Sequence, residues 1–168
     1  MRHGYSQAVM IGVVAGMILI VSHLIFVITG VAGGFFVPLF GCALGCIEWL
    51  LIAAFLAGVG WYTANYTWAT KRDAIALSAM AGLITGVVYQ SIGLIIGFLL
   101  IPIAGIAAAI AGYAIAGDNN PLFTAGLAGA AGAALALGIT ILKFLFWAGF
   151  STVFGAIGGA IYSAQSRK

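Results

Sequence analysis

The chain alternates long apolar stretches with a few short polar or glycine-rich breaks. Apolar residues dominate residues 8–28, 37–60, 74–101 and 137–163. Each stretch has at least the roughly 20 apolar residues that a helix needs to cross the hydrocarbon core of a bilayer, about 30 Å. The pattern therefore predicts four transmembrane helices with little chain outside them.

The breaks between these stretches carry residues expected at helix ends. Glycine-rich residues 29–34 predict a turn after the first span, and Pro38 suits the first turn of the second helix. An aromatic segment, residues 61–68, leads into the charged residues 71–73, which is typical of a membrane–water interface. Pro102 is expected to break or kink the helix at the end of the third span.

Residues 103–132 fit the four-span pattern least well. They are rich in alanine and glycine, and residues 118–121 interrupt them with Asp-Asn-Asn-Pro, a strong turn pattern. Because the part before this turn is shorter than a full span, we expect an interfacial or re-entrant helical hairpin here. The alternative is a protein of six spans, in which the segment from Leu122 onward holds two spans divided at Lys143.

The composition is that of an integral membrane protein. Of 168 residues, 64% are hydrophobic and 5% are charged, and the mean hydropathy is +1.24. So few charged side chains cannot solvate the surface of a soluble domain, which excludes a soluble enzyme, a disordered chain and a collagen-like chain. The expected fold is all-α, a polytopic transmembrane helix bundle of four spans with the extra hairpin.

The basic residues predict the orientation of the chain. The net charge is +3, and most Lys and Arg residues lie at the boundaries of the apolar stretches. Because basic loops remain in the cytoplasm, the N-terminus, residues 71–72 and the C-terminus are expected there with either four or six spans. The expected location is a prokaryotic cytoplasmic membrane. The basic runs are too short to indicate nucleic acid as a partner.

Glycines recur four residues apart along every predicted span. Small residues at this spacing leave one helix face bare, so that two helix backbones approach closely and pack by dispersion. We expect these glycines to hold a tight bundle, with some faces left for partner subunits or other copies of the chain. The glycines are Gly12, Gly16, Gly41, Gly45, Gly82, Gly86, Gly93, Gly97, Gly155 and Gly159.

Glu48 is the strongest candidate for chemistry, because ionisable groups inside a membrane are rare and costly. It lies near the middle of the second span, and it must be paired, hydrated or protonated. It is either a proton or cation site, a contact with a partner, or a structural acid. Lys143 lies at a depth in the four-span topology that would let it pair with Glu48.

His23 is a second candidate, with two cysteines at similar depth. An imidazole there could ligate a pigment, a haem or a metal ion, or bond a neighbouring helix. Cys42 and Cys46 share a helix face, and with His23 they could bind a soft metal ion, although the spacing matches no standard zinc pattern. The alternative is that both cysteines are free thiols that pack as small apolar residues.

The order of these features resembles that of small prokaryotic four-helix integral membrane proteins of unknown function. The resemblance is carried by residues 41–46 (GCALGC), the charged turn at 71–73, residues 81–86 (AGLITG) and residues 154–160 (FGAIGGA). It implies a four-helix fold and no particular activity. Such proteins place an amphipathic segment between spans three and four, whereas residues 103–132 here are apolar.

No catalytic motif stands out, so we expect a protein that is not an enzyme. The first hypothesis is a structural or accessory subunit of a larger membrane complex that packs through its glycine-rich faces. The alternative is a small homo-oligomeric transporter or channel with Glu48 in the path. A further alternative is a self-assembling membrane protein. Bound lipid is expected, and a pigment or haem would involve His23.

Overall fold

The computed structural model describes the backbone of residues 2–36, 38–115 and 120–166, and the side chains of residues 4–25, 46–70, 73–115 and 120–166. The described residues form four α-helices and no strand. The helices are α1 (Arg2–Phe36), α2 (Pro38–Tyr66), α3 (Lys71–Ile115) and α4 (Pro121–Gln165). The predicted all-α class is therefore confirmed.

Within the described part of the chain, four helices are long and apolar enough to cross a membrane. The qualifying segments are Gly4–Ile25, Cys46–Tyr66, Asp73–Ile115 and Pro121–Gln165. α3 and α4 have 45 residues each, which corresponds to about 67 Å at 1.5 Å per residue. Each of these two helices is therefore about twice as long as a single crossing requires.

Hydrogen bonds around Trp68 explain where α2 ends. The amide of Trp68 donates to Asn65 O at 3.3 Å, and the amide of Ala69 donates to Ala64 O at 3.1 Å. This pair of bonds is a Schellman motif, which requires a left-handed residue after the helix, and Trp68 adopts it with φ 49°. The hydroxyl of Thr70 then accepts from the amide of Asp73, which caps the start of α3.

The predicted turn before Pro121 is present at the start of α4. Asn120 has φ 62°, a left-handed conformation that asparagine tolerates better than most residues. Its carbonyl accepts from the amides of Phe123 and Thr124. Pro121 occupies the first helical position, where its missing N–H leaves no hydrogen bond unmade.

The predicted turn at residues 29–34 is wrong, and so is the predicted break at Pro102, whereas a kink at Pro102 stays a prediction. Residues 29–34 continue α1 as far as Phe36 instead of forming a turn, because each glycine costs a helix only about 1 kcal/mol relative to alanine. Pro102 lies inside α3 and does not end it. Helix contacts on both sides of the proline, at Gly97 and Gly105, hold α3 against α4 and offset the hydrogen bond that the proline removes. Residues 103–115 accordingly extend α3 and residues 121–132 begin α4, while residues 116–119 lie outside the described residues.

The chain divides into two compact units. The four-helix unit comprises Met1–Tyr89 and Trp147–Lys168, and the hairpin unit comprises Gln90–Phe146. The core of the four-helix unit has two clusters of buried side chains. One contains Ala8, Ala15, Val59, Leu77 and Ala81, and the other contains Leu19, Ile52, Leu56, Tyr89 and Trp147.

Glycine contacts allow the helices of the four-helix unit to approach closely. A Cβ atom at Gly12 would lie 2.7 Å from Ala81 O, and one at Gly16 would lie 2.6 Å from Val88 Cβ, so α1 packs directly on α3. Gly82 of α3 faces Gly155 of α4 in the same way. Polar bonds add to these contacts: Ser78 Oγ donates to Gly60 O at 2.6 Å, and Thr85 Oγ1 donates to Gly12 O at 3.2 Å.

The remaining predicted glycines differ in their surroundings. Gly86 and Gly159 also face another helix, Gly86 against Ser151 and Gly159 against Ala74. In the hairpin unit Gly97 faces Thr140, whereas the nearest atom to a Cβ at Gly93 is Oε1 of Gln90 on its own helix. Gly41 and Gly45 lie outside the described side chains.

The hairpin unit consists of two helical arms joined by small residues. Gly105 faces Gly129, Gly112 faces Ala128, and Gly132 faces Ala108. Large apolar side chains lie exposed along the rest of both arms, including Ile95, Leu99, Ile106, Leu127, Leu135 and Leu142. This distribution suits an apolar solvent such as lipid better than water.

Cysteine labelling distinguishes four spans from six. In a variant with Cys42→Ala and Cys46→Ala, we introduce either Asn120→Cys or Trp68→Cys and treat intact cells with an impermeant maleimide. Because α3 is one continuous helix, a single crossing places Asn120 outside and Trp68, beside basic residues 71–72, in the cytoplasm. We expect labelling at position 120 only. Six spans would protect both positions in intact cells and label both after lysis.

Candidate functional site

α1 and α2 bring His23 and Glu48 together. Nδ1 of His23 lies 2.5 Å from Oε1 of Glu48, within hydrogen-bonding distance. The side chain of His23 is 41% exposed and that of Glu48 is 18% exposed. Both belong to apolar helices, so this contact gives each polar group a partner that an apolar solvent would not supply.

A cluster of aromatic rings from three helices contacts the pair through Tyr89. The ring of Tyr89 on α3 meets the imidazole of His23 edge to face, with centroids 5.6 Å apart. Trp147 on α4 contacts Tyr89 at 5.1 Å and stacks on Trp49 of α2 at 4.8 Å. Phe150 of α4 completes this aromatic cluster (Trp49, Tyr89, Trp147 and Phe150). Rings packed in this way fix the orientation of the imidazole.

A cavity of about 370 Å³ lies beside the pair. Its walls carry one carboxylate, one imidazole and one hydroxyl group, and the remaining lining side chains are apolar. The lining residues are Leu19, Ser22, His23, Glu48, Leu51, Ile52, Ala54 and Phe55. The cavity therefore has a polar end that can exchange protons or accept a hydrogen bond, within otherwise apolar walls.

The geometry bears on the ligands predicted for His23. The hydrogen bond to Glu48 occupies Nδ1 of His23. A metal or pigment would therefore bind Nε2, and the bond at Nδ1 would hold the ring in a fixed orientation. The described residues contain no group of three possible metal ligands. Cys46 is a free, exposed thiol, and Cys42 lies outside the described side chains, so the three-residue metal site stays a prediction.

Lys143 lies in a different unit from Glu48. It is an exposed residue of α4 within the hairpin unit, whereas Glu48 belongs to the four-helix unit. The observed partner of Glu48 is His23. A pair between Lys143 and Glu48 therefore also stays a prediction.

Sequence reasoning missed the pairing of His23 with Glu48 because it ended the first helix too early. With α1 ending at Phe36 and α2 beginning at Pro38, His23 lies 13 residues before the reversal and Glu48 lies 10 residues after it. The difference corresponds to about 4.5 Å along the helix axes, which two side chains can bridge. A second helix that begins directly after the first would have placed both residues at similar depth, although not on facing sides of the helices.

Comparisons with known protein families, with curated proteins and with solved structures find no match to this chain. A function is therefore inferred from the geometry of the His23–Glu48 site. The resemblance to small four-helix membrane proteins stays a prediction.

Proposed function

We propose that this protein is a small integral membrane protein that conducts protons across the bilayer through His23 and Glu48, as a homo-oligomer. The observation that carries the proposal is the hydrogen-bonded carboxylate and imidazole beside a cavity between two apolar helices. Intramembrane ionisable groups are retained mainly where they serve transport or partner recognition.

A proton suits this site better than a metal cation. Carboxylate and imidazole are the two side chains most used to accept and release protons near neutral pH. A dehydrated Ca²⁺ ion needs about six to eight oxygen ligands. The described residues that line the cavity supply one carboxylate and the hydroxyl of Ser22 as oxygen-bearing side chains.

The partial exposure of His23 favours an assembly of several copies of the chain. His23 remains 41% exposed in the single chain, so a continuous path past it needs further walls. Other copies can supply them, since closed symmetric assemblies are the usual form of homo-oligomers.

The glycine contacts weaken the alternative of an accessory subunit. That hypothesis needed glycine-rich faces to remain available for partners. Gly12, Gly16, Gly82, Gly86 and Gly155 instead face other helices of the same chain, at distances that leave no room for a side chain. These contacts account for the glycines as packing residues, but they do not account for an ionisable pair within apolar helices.

Proton flux into liposomes tests the proposal. We expect purified protein to acidify vesicles that hold a pH-sensitive dye when potassium and valinomycin set an inward driving potential. Glu48→Gln keeps the shape of the side chain but cannot exchange a proton at neutral pH. It should lower the flux at least about tenfold.

Asp73→Asn is the matched control, because it makes the same chemical change at the start of α3. An asparagine there can still accept the hydrogen bond that Thr70 donates to Asp73 Oδ2, 2.8 Å away. Equal flux in wild type and Glu48→Gln would reject the proposal. Absent flux from a particle that contains other subunits would favour the accessory role.

A further inference from the structure

A second groove continues from the cavity along α1 and α2. It has a volume of about 450 Å³ and shares Phe55 with the cavity wall. It is lined by Met10, Ile11, Val14, Ala15, Ile18, Phe55, Gly58, Val59 and Tyr62. The cavity and this groove meet at Phe55 and are together called here the α1–α2 trough, with the ionisable pair His23 and Glu48 at one end and the phenol of Tyr62 at the other.

The trough is open at Gly58, which no described side chain or helix covers. A Cβ atom at Gly58 would meet nothing within 4 Å, in contrast to the tightly packed Gly60 two residues further on. Met10, Val14 and Ile18 line one side while remaining about half exposed. The trough is therefore reachable from the surface of the helices.

The apolar part of the trough has the length of one alkyl chain. It extends from Ile52 to Tyr62 on α2, which is about 15 Å at 1.5 Å per residue. One leaflet of a bilayer is also about 15 Å thick in its hydrocarbon region, and an acyl chain fills it. An alkyl chain whose head lies at Glu48 would run along this length toward Tyr62.

The charge at the polar end selects the head group. Glu48 is the acidic side chain among the described residues that line the trough. Neither lysine nor arginine is among the described residues that line the trough, so a phosphate or carboxylate head would find no basic side chain to pair with. An ammonium head would pair with the Glu48 carboxylate through charge-assisted hydrogen bonds.

We infer that the α1–α2 trough binds a single-chain amphiphilic cation, with its ammonium head at Glu48 and its alkyl chain extending toward Tyr62. The inference goes beyond proton conduction and is tested by binding, not by flux. Failure of one test therefore leaves the other standing.

Three ligands with the same 16-carbon chain provide the test: hexadecylamine, hexadecanol and hexadecanoic acid. Each is added to the purified full chain in maltoside micelles, and native mass spectrometry counts the ligand retained after the detergent is removed. We expect one hexadecylamine per chain, bound at least about tenfold more tightly than the alcohol or the acid. Glu48→Gln should abolish this preference for the amine.

Gly58→Leu adds a side chain to the trough where a Cβ atom would meet nothing within 4 Å, and it should abolish retention of the amine. Gly126→Leu is the matched control, because a Cβ atom at Gly126 is equally unobstructed and Gly126 belongs to the hairpin unit. Equal retention of the three ligands, or an unchanged result in Gly58→Leu, would overturn the inference. Displacement of the amine by an equal concentration of phosphatidylethanolamine would also overturn it, in favour of a membrane phospholipid.

Discussion

Replacing Gly155 with leucine should unfold the four-helix unit. A Cβ at Gly155 would lie 2.6 Å from Ser78 O and 3.0 Å from Gly82 Cα, and Gly155 also faces Gly60 of α2. Because all three neighbours are backbone atoms, they cannot move aside as the end of a flexible side chain can. We expect the free energy of unfolding to fall by about 3 kcal/mol or more, measured by SDS titration with circular dichroism.

Gly149→Leu provides the control on the same helix, because a Cβ atom at Gly149 would meet nothing within 4 Å. Its unfolding midpoint should remain close to that of the wild type. Gly82→Leu and Gly86→Leu should resemble Gly155→Leu, since both glycines face Ser151 of α4. Equal stability of Gly155→Leu and Gly149→Leu would mean that α2, α3 and α4 do not pack at these glycines.

The second large loss of stability is expected when Trp147 is replaced. Trp147 belongs to a buried core cluster and contacts Tyr89, the ring that packs on His23. Its side chain is 7% exposed and contacts Trp49, Tyr89 and Phe150. Trp147→Ala would leave a cavity among these rings, and such changes typically cost about 3–5 kcal/mol. Lipid provides no hydrophobic drive for helix pairing, so we expect about 3 kcal/mol, the lower end, in the same SDS titration.

Two variants separate this packing effect from a general loss of hydrophobic surface. Trp147→Phe keeps an aromatic ring against Tyr89 and should lose less stability than Trp147→Ala. Leu145→Ala, two residues earlier on α4, removes a side chain that is 60% exposed and should change the midpoint little. A loss in Leu145→Ala as large as that in Trp147→Ala would show that the aromatic contacts are not what stabilises the unit.

Local chemistry was sufficient to predict the helical class and to place one polar turn between the second and third helices and another before Pro121, although α2 continues to Tyr66 and α3 already begins at Lys71. Thr70 and Asp73 cap α3, and Asn120 with Pro121 begins α4, because side chains of these types hydrogen-bond the free backbone groups of helix ends. The same local reasoning failed at residues 29–34 and at Pro102. Helix-breaking residues are tolerated there because the preference against helix is small compared with the contacts made elsewhere.

The helices are apolar around their whole circumference, so the sequence pattern does not show which helix faces contact each other. In a soluble protein, a polar stripe shows which face of each helix points outward. Here His23 and Glu48 were each identified as candidates, but nothing in the pattern showed that they face each other. Their pairing depends on the length and rotation of α1 against α2, which the contacts between the helices determine.

The sequence by itself determined that the described chain is helical, that its long helices are apolar enough for a membrane, and where two of its turns lie. These properties follow from composition and from short-range hydrogen bonding. Only the tertiary structure decided that Gly60 is packed against α4 while Gly58, on the same helix, is open. Only it brought Glu48 to His23 beside a cavity, because side chains far apart in the chain meet through helix packing and not through local preference.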